Sequence, residues 1–239
     1  MLLEIKNLTS FYGDAQILFD VNLEVEEGTV VGLFGRNGAG KSTTFRSIMG
    51  FNNPQCHGEI KFKGRDITCL PPYRIAKLGI GWVPEDRKIF PNLTIKENLL
   101  LGQRSKSGDR GGKEVTLDAV YKYFPKLKEM ERKWGCEMSG GEQQMLTIGR
   151  TLMSNPDLIL LDEPTEGLAP LIADQVMEMV LEVKREYGMA LIVVEQFSPK
   201  FLSFMDHCYV LEIGEIIYDG NAKTLEEDVE LQQKLLGVG

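Results

Sequence analysis

The 239-residue sequence predicts an α/β fold: a mixed sheet core covered by helices, with an antiparallel β subdomain in its N-terminal part and an inserted helical subdomain. Three observations carry that prediction. A glycine loop built for phosphate, Gly35-Arg36-Asn37-Gly38-Ala39-Gly40-Lys41-Ser42, follows the strand-like Val30-Val31-Gly32-Leu33-Phe34 and precedes a helix over 43–49. From Leu158 onward strand and helix patterns alternate, as in sheets whose parallel strands are covered by helices. Between these parts, residues from about 86 to 150 change to helix-favouring stretches.

In chain order, the first part reads as short strands over 2–5, 16–21 and 30–34, then 58–62 entering the turn Lys63-Gly64-Arg65-Asp66. The loose alternation of their apolar members argues for antiparallel pairing beside the core. The break Leu70-Pro71-Pro72 precedes a helix near 73–78 and a strand over 79–83 that runs into Pro84. Helical stretches over 95–101, 113–123 and 125–131 flank a surface loop at 105–112. A helix over 142–152 follows, then strands over 158–161, 190–195 and 209–212, helices over 171–187 and 197–205, and a hairpin about Ile213-Gly214-Glu215. No internal repeat is present. The expectation is one domain over 1–239, with a nucleotide-binding core at about 1–85 and 151–239 and the helical subdomain at about 86–150.

Length and composition agree with one large domain able to bury a sizeable core. Lysine and arginine total 27 against 35 acidic residues, a net charge of 27 − 35 = −8, which suits solubility and makes nucleic acid a poor partner. Cys56, Cys69, Cys136 and Cys208 show no Cys-x-x-Cys spacing, and the two histidines are His57 and His207. Buried or incidental thiols in a reducing compartment are therefore expected, in preference to zinc or disulfides. Met1-Leu2-Leu3-Glu4-Ile5-Lys6 puts charge where a signal peptide needs an apolar stretch. No apolar run approaches the ~20 residues of a spanning helix, so any membrane is met through a partner.

In the glycine loop, backbone amides converge on a β-phosphate without a Cβ in the way, Lys41 reaches the β and γ oxygens, and Ser42 is placed to bind Mg²⁺. Asp162 and Glu163 close a continuously apolar strand, where an open sheet presents functional groups. Asp162 would hold the metal through water and Glu163 would polarise the attacking water as general base. The pair would repel a triphosphate unless Mg²⁺ stood between; the alternative is a solvated acidic pair before Pro164. Ser139, Gly140, Gly141 and Glu142 start a second helix whose backbone N–H groups and dipole end suit another anion. One nucleotide needs one cradle, so this one would serve a nucleotide held by another subunit; the alternative is a capping box that merely starts the helix.

These motifs, in this order, resemble the ATP-binding cassette (ABC) family of ATPases, whose signature run is usually Leu-Ser-Gly-Gly-Gln; here Met138 and Glu142 stand at its variable ends. The resemblance implies an ABC-type fold with ATP and Mg²⁺ as cofactors. It also implies an adenine-stacking role for Tyr12 in Ser10-Phe11-Tyr12-Gly13, with a half-buried tyrosine as the alternative, and an α-phosphate contact for Thr43. Three positions depart from the family pattern. Glu85, in Val83-Pro84-Glu85-Asp86, replaces the glutamine linking metal, water and membrane partner; it can ligate Mg²⁺ but donates no N–H. Gln196 stands where a histidine contacts the γ-phosphate; it can donate that hydrogen bond but takes no proton, which assigns base duty to Glu163. Ala169 replaces the aspartate of the loop coupling the two sites, which weakens any carry-over of that role.

The run Phe90-Pro91-Asn92-Leu93-Thr94 with Gly167-Leu168-Ala169-Pro170 and Val194-Glu195-Gln196 narrows the resemblance to ATPase subunits of branched-chain amino acid importers. Importers of amides such as urea are close, and Phe197 resembles that branch. The implied function is ATP hydrolysis that drives transport through head-to-tail pairing with a second ABC ATPase subunit, identical or not. Implied partners are integral membrane permease subunits, met through about 86–98, and indirectly an extracytoplasmic solute-binding protein. The implied location is peripheral, on the cytoplasmic face of the membrane. Two other readings stay open: a lipid or polysaccharide exporter subunit, and a soluble cassette ATPase of translation or DNA repair.

Overall fold

The structure, a computed structural model, describes residues 1–68, 70–104, 113–195 and 199–236. Cys69, the expected loop at 105–112, Gln196, Phe197 and the Gly237 end lie outside the described residues.

Two sheets organise the chain. The first is antiparallel, with β1 (Leu3–Tyr12) at its centre, β2 (Ala15–Val25) on one side and β4 (Gln55–Phe62) on the other, and the short β5 (Arg65–Asp66) beyond β4. The second has six strands. Its order is β10 (Glu215–Asn221), β9 (His207–Glu212), β3 (Val30–Phe34), β8 (Ala190–Glu195), β7 (Leu158–Asp162) and β6 (Ile80–Val83), all parallel except the β10 edge.

Residues 30–34 thus differ from the antiparallel expectation: β3 pairs parallel with β8 and β9. The reason is burial. All five of its residues are buried, as are those of β7 and β8, and such continuous apolar runs belong to strands covered on both faces. Alternate residues serve two cores. Phe34, Leu161 and Val193 face a core shared with the helices after β6, whereas Leu33, Leu160 and Ile192 face one shared with the antiparallel sheet.

α1 (Lys41–Ile48) follows the glycine loop, and α2 (Pro72–Leu78) precedes β6. Next come α3 (Ile95–Gly102), α4 (Leu117–Tyr123), α5 (Pro125–Glu129) and α6 (Gly140–Leu152). Thr94 and Glu97 cap α3 reciprocally, Thr94 Oγ1 accepting from Glu97 N at 3.2 Å and Glu97 accepting from Thr94 N at 2.8 Å. α6 packs on α3 and β6, and a Cβ at Gly102 would stand 1.9 Å from the Arg150 carbonyl, so only glycine lets the two helices meet there. α7 (Pro170–Tyr187) and α8 (Pro199–Leu202) follow β7 and β8. Two further helices unanticipated in the sequence, α9 (Ala222–Glu227) and α10 (Val229–Leu236), end the described chain.

Candidate functional site

Parallel pairing brings the carboxyl ends of β3, β6, β7 and β8 to one edge of the sheet, with Phe34 opposite Glu195, Asp162 opposite Val194 and Val83 opposite Leu161. Ligands of open α/β sheets bind outside such an edge. The glycine loop leaves β3 there. Its tip, Arg36, Asn37 and Gly38, is exposed, whereas Gly35, Ala39, Gly40, Lys41 and Thr43 are buried. Gly38 (φ 81°) and Gly40 (φ 111°) hold the left-handed backbone that turns amides toward the loop's interior, and a Cβ at Gly40 would meet Leu18 Cδ2 at 2.7 Å.

Lys41, 4 % exposed, donates from Nζ to the carbonyls of Gly35 at 2.8 Å and Arg36 at 3.3 Å, and pairs with Glu163 Oε1 at 3.4 Å. Its ammonium therefore ties the start of the loop to the residue after β7. Ser42 Oγ donates to Asp162 Oδ1 at 3.3 Å, although 120 residues separate the two. Glu163 takes a left-handed backbone (φ 46°), rare for a side chain that is not glycine, while its N–H donates to Val194 O at 2.9 Å. Strain of this kind collects where a side chain must be aimed. Among the described residues, no hydrogen bond joins this cluster to Ser139–Glu142 at the start of α6.

Residues 18–166 match the family described as ABC transporter. The chain belongs to the ABC transporter family. As an ABC ATPase it hydrolyses ATP. It is 40 % identical over 237 residues to the high-affinity branched-chain amino acid transport ATP-binding protein BraG of Pseudomonas aeruginosa, covering 99 % of this chain and all of that one. It is 31 % identical over 238 residues to the lipopolysaccharide export system ATP-binding protein LptB of Haemophilus influenzae, covering 99 % and 97 %. Among solved structures, a dimeric post-hydrolysis state of an ATP-binding cassette bound to ADP and Pi superposes with a TM-score of 0.75 at 26 % identity, covering 92 % and 99 %.

With the ABC family established, the remaining expected positions can be located. Tyr12 closes β1, half-buried, and its hydroxyl accepts from Arg46 Nη1 at 3.4 Å. Ser139 is exposed and precedes α6, which begins at Gly140, two residues before the expected start. The Glu142 carboxylate reaches back to Ser139 N at 2.8 Å, so it caps its own helix, as the capping-box alternative expects. Glu85 is exposed just beyond β6.

The site is short of positive charge. Burial pushes the Asp162 carboxyl up to about 6 against the counter-pull of Ser42, with Glu85 and Glu163 adding to the rise. A hydrogen bond that the protonated Glu166 carboxyl donates to Glu163, then burial and the charges of Glu163, Glu85 and Glu195, push Glu166 up to about 7. Lys41 alone does not balance this group of acids. A divalent cation would, and the Ser42 hydroxyl and Asp162 carboxylate are oxygen donors that would fit Mg²⁺.

Because the folded-state value of Asp162 lies above the ordinary 3.8, the native protein holds its proton more tightly than the unfolded chain does. This group's contribution therefore falls as pH rises from about 4 to about 6, and the full penalty is present above that. Asp162→Asn, which removes the charge, is expected to stabilise the nucleotide-free protein at pH 8 by about 3 kcal/mol, with the gain shrinking toward pH 4. Thermal unfolding of both proteins across that range checks it; equal melting temperatures at pH 8 would contradict the electrostatic assignment.

Two residues near the site escaped the sequence reading. Glu195, 5 % exposed, accepts at Oε1 from Thr165 N at 3.0 Å and Thr165 Oγ1 at 2.7 Å, tying the end of β8 to the turn after Glu163. A signal for it existed: it ends an apolar strand just as Asp162 does. The other is Arg87, whose place only the fold reveals.

Proposed function

We propose that this chain is the energy-coupling subunit of an importer for branched-chain amino acids, working as one half of a head-to-tail ATPase pair. One observation carries the reading: Lys41, Ser42, Asp162 and Glu163 converge at the sheet edge while the Gly140–Gly141 cradle opens elsewhere on the same chain. A triphosphate held by the first cradle of one subunit would be capped by the second cradle of its partner. Lys41 and the loop amides would hold its phosphates, Ser42 and Asp162 would hold Mg²⁺, and Glu163 would take a proton from the attacking water. Magnesium, when bound, offsets phosphate charge against the carboxylates. Closure follows because the closed pair binds the triphosphate better than the open one, and loss of the γ-phosphate reverses the preference.

The importer assignment is supported by the 40 % identity to a branched-chain amino acid transport protein; the 31 % identity to LptB favours lipopolysaccharide export as the second reading. Among the described residues no helix is long and apolar enough to cross a membrane, which accords with a peripheral subunit held on the cytoplasmic face by a permease. We place that contact on about 86–98, where Phe90 is 49 % exposed and lies under the Arg150 guanidinium. The division into a core at about 1–85 and 151–239 with a helical subdomain at about 86–150 belongs to the same proposal. A solute-binding protein would act through the permease. Tagged full-length protein, solubilised with its native membranes, is expected to bring down an amino-acid-type permease. Recovery of an export-type membrane protein in its place would reverse the direction of transport.

A further inference from the structure

Arg87 lies in the segment assigned to the permease contact, yet its guanidinium touches the turn after Glu163 and the start of α6. Its Nη2 donates to the Glu166 carbonyl at 3.0 Å. Nη1 lies against the first glycine of α6, where a Cβ on Gly140 would stand 2.8 Å away, and a Cβ on Gly167 would stand 3.7 Å from Nη2. The segment that carries it leaves the sheet through Glu85 and is bent to deliver it, with φ of 59° at Arg87 and 40° at Lys88. Both strained carbonyls are held from α6: Thr147 Oγ1 donates to Arg87 O at 2.6 Å and Arg150 Nη2 to Lys88 O at 2.7 Å.

The electrostatics of this placement are incomplete in the single chain. Among the described residues Arg87 forms no ion pair, and its buried Nε has no hydrogen-bond partner. The guanidinium also stands beside the N-terminus of α6, which already carries roughly half a positive charge. The Glu142 carboxylate at Ser139 N meets part of the dipole charge, so the charge left without an ion-pair partner among the described residues is that of Arg87 itself. A phosphate suits that charge, since guanidinium and backbone amides are each matched to its oxygens.

We propose that Arg87 is the charged positioning residue of the second cradle: it sets the first turn of α6 against the turn after Glu163 and supplies the full charge that the terminal phosphate of the facing subunit's nucleotide meets there. It also joins Glu85 and the segment after it to that cradle, so displacement of one shifts the other. The inference rests on the head-to-tail reading.

The test uses full-length protein carrying Glu163→Gln to prevent turnover, with ATP and magnesium as the probe and sedimentation as the readout. Arg87→Gln keeps a donor for the Glu166 carbonyl but removes the charge; Arg87→Lys keeps the charge. The Gln variant is expected to need about tenfold more ATP for half-maximal dimerisation, and the Lys variant to stay within about threefold of its parent. Added salt should raise the ATP requirement of the parent more steeply than that of the Gln variant. Fluorescent-nucleotide binding to dilute monomer, which uses the Lys41 loop, should be the same in all three. Dimerisation of the Gln variant equal to the parent, or an equal loss in both variants, overturns the proposal. If the Gln variant does not fold, a Lys variant that has lost dimerisation still overturns it. A parent that stays monomeric at saturating ATP overturns the head-to-tail reading itself, and this inference with it.

Discussion

Replacing Glu163 with glutamine is expected to slow ATP hydrolysis at least about 100-fold, a loss typical of removing a general base, while leaving ATP binding intact. Glutamine has the same shape and can occupy the left-handed backbone position with comparable strain, so the φ of 46° and the bond from its N–H to Val194 persist. What it cannot do is take a proton. In the parent, Glu163 sits 3.4 Å from Lys41, and a phosphate would compete for that ammonium and free the carboxylate to act on water. With turnover blocked, the triphosphate remains in place and the closed pair accumulates. Phosphate release and sedimentation with ATP measure both halves. A residual rate within about tenfold of the parent would remove Glu163 from the base role, and a monomer at saturating ATP would remove the paired arrangement.

The second large effect is expected from Lys41→Ala. A charge-assisted hydrogen bond to phosphate contributes about 1.5–3 kcal/mol, so ATP affinity should fall at least about tenfold, and hydrolysis further still because the γ-phosphate charge is no longer balanced as the bond breaks. The loss extends to the nucleotide-free state. Lys41 is buried and holds the carbonyls of Gly35 and Arg36, so alanine leaves both without that donor and leaves Glu163 without its ion-pair partner. A lower melting temperature should accompany the binding defect. Nucleotide titration by fluorescence, with a melting curve on the same sample, checks the pair of outcomes. Parent-like affinity would show that the loop amides suffice and that the lysine is incidental.

Much of this machinery was legible in the residues because it is local. A strand, a glycine loop and a helix in sequence identify a phosphate cradle, and β3, β7 and β8 announced themselves as apolar runs. Where polar residues intervene, the reading fell short. The strand expected over 2–5 extends as β1 from Leu3 to Tyr12, through Lys6, Asn7, Thr9 and Ser10, because β2 and β4 on either side satisfy its backbone whatever the side chains are. The register shifts along both pairings break the alternation that would have shown it. α6 starts at its glycines because Glu142 caps it, although glycine by itself disfavours helix. α9 and α10 went unseen because each is short, six and eight residues, so that an apolar face such as Leu231 and Leu235 spans barely two turns.

By itself the sequence determined the family and with it the ATPase chemistry, and it nominated the groups: the glycine loop with Lys41 and Ser42, the carboxylates Asp162 and Glu163, and the run Ser139 to Glu142. Only the tertiary structure decided which of these groups meet. Ser42 reaches Asp162 because β7 lies in the same parallel sheet as β3, one strand away across β8, and Arg87 reaches Gly140 because α6 packs over the segment leaving β6. The physical reason is that a residue's hydrogen-bonding and charge are properties of the side chain alone. Its partner, its burial and its proton affinity are properties of strand order and packing between segments scores of residues apart.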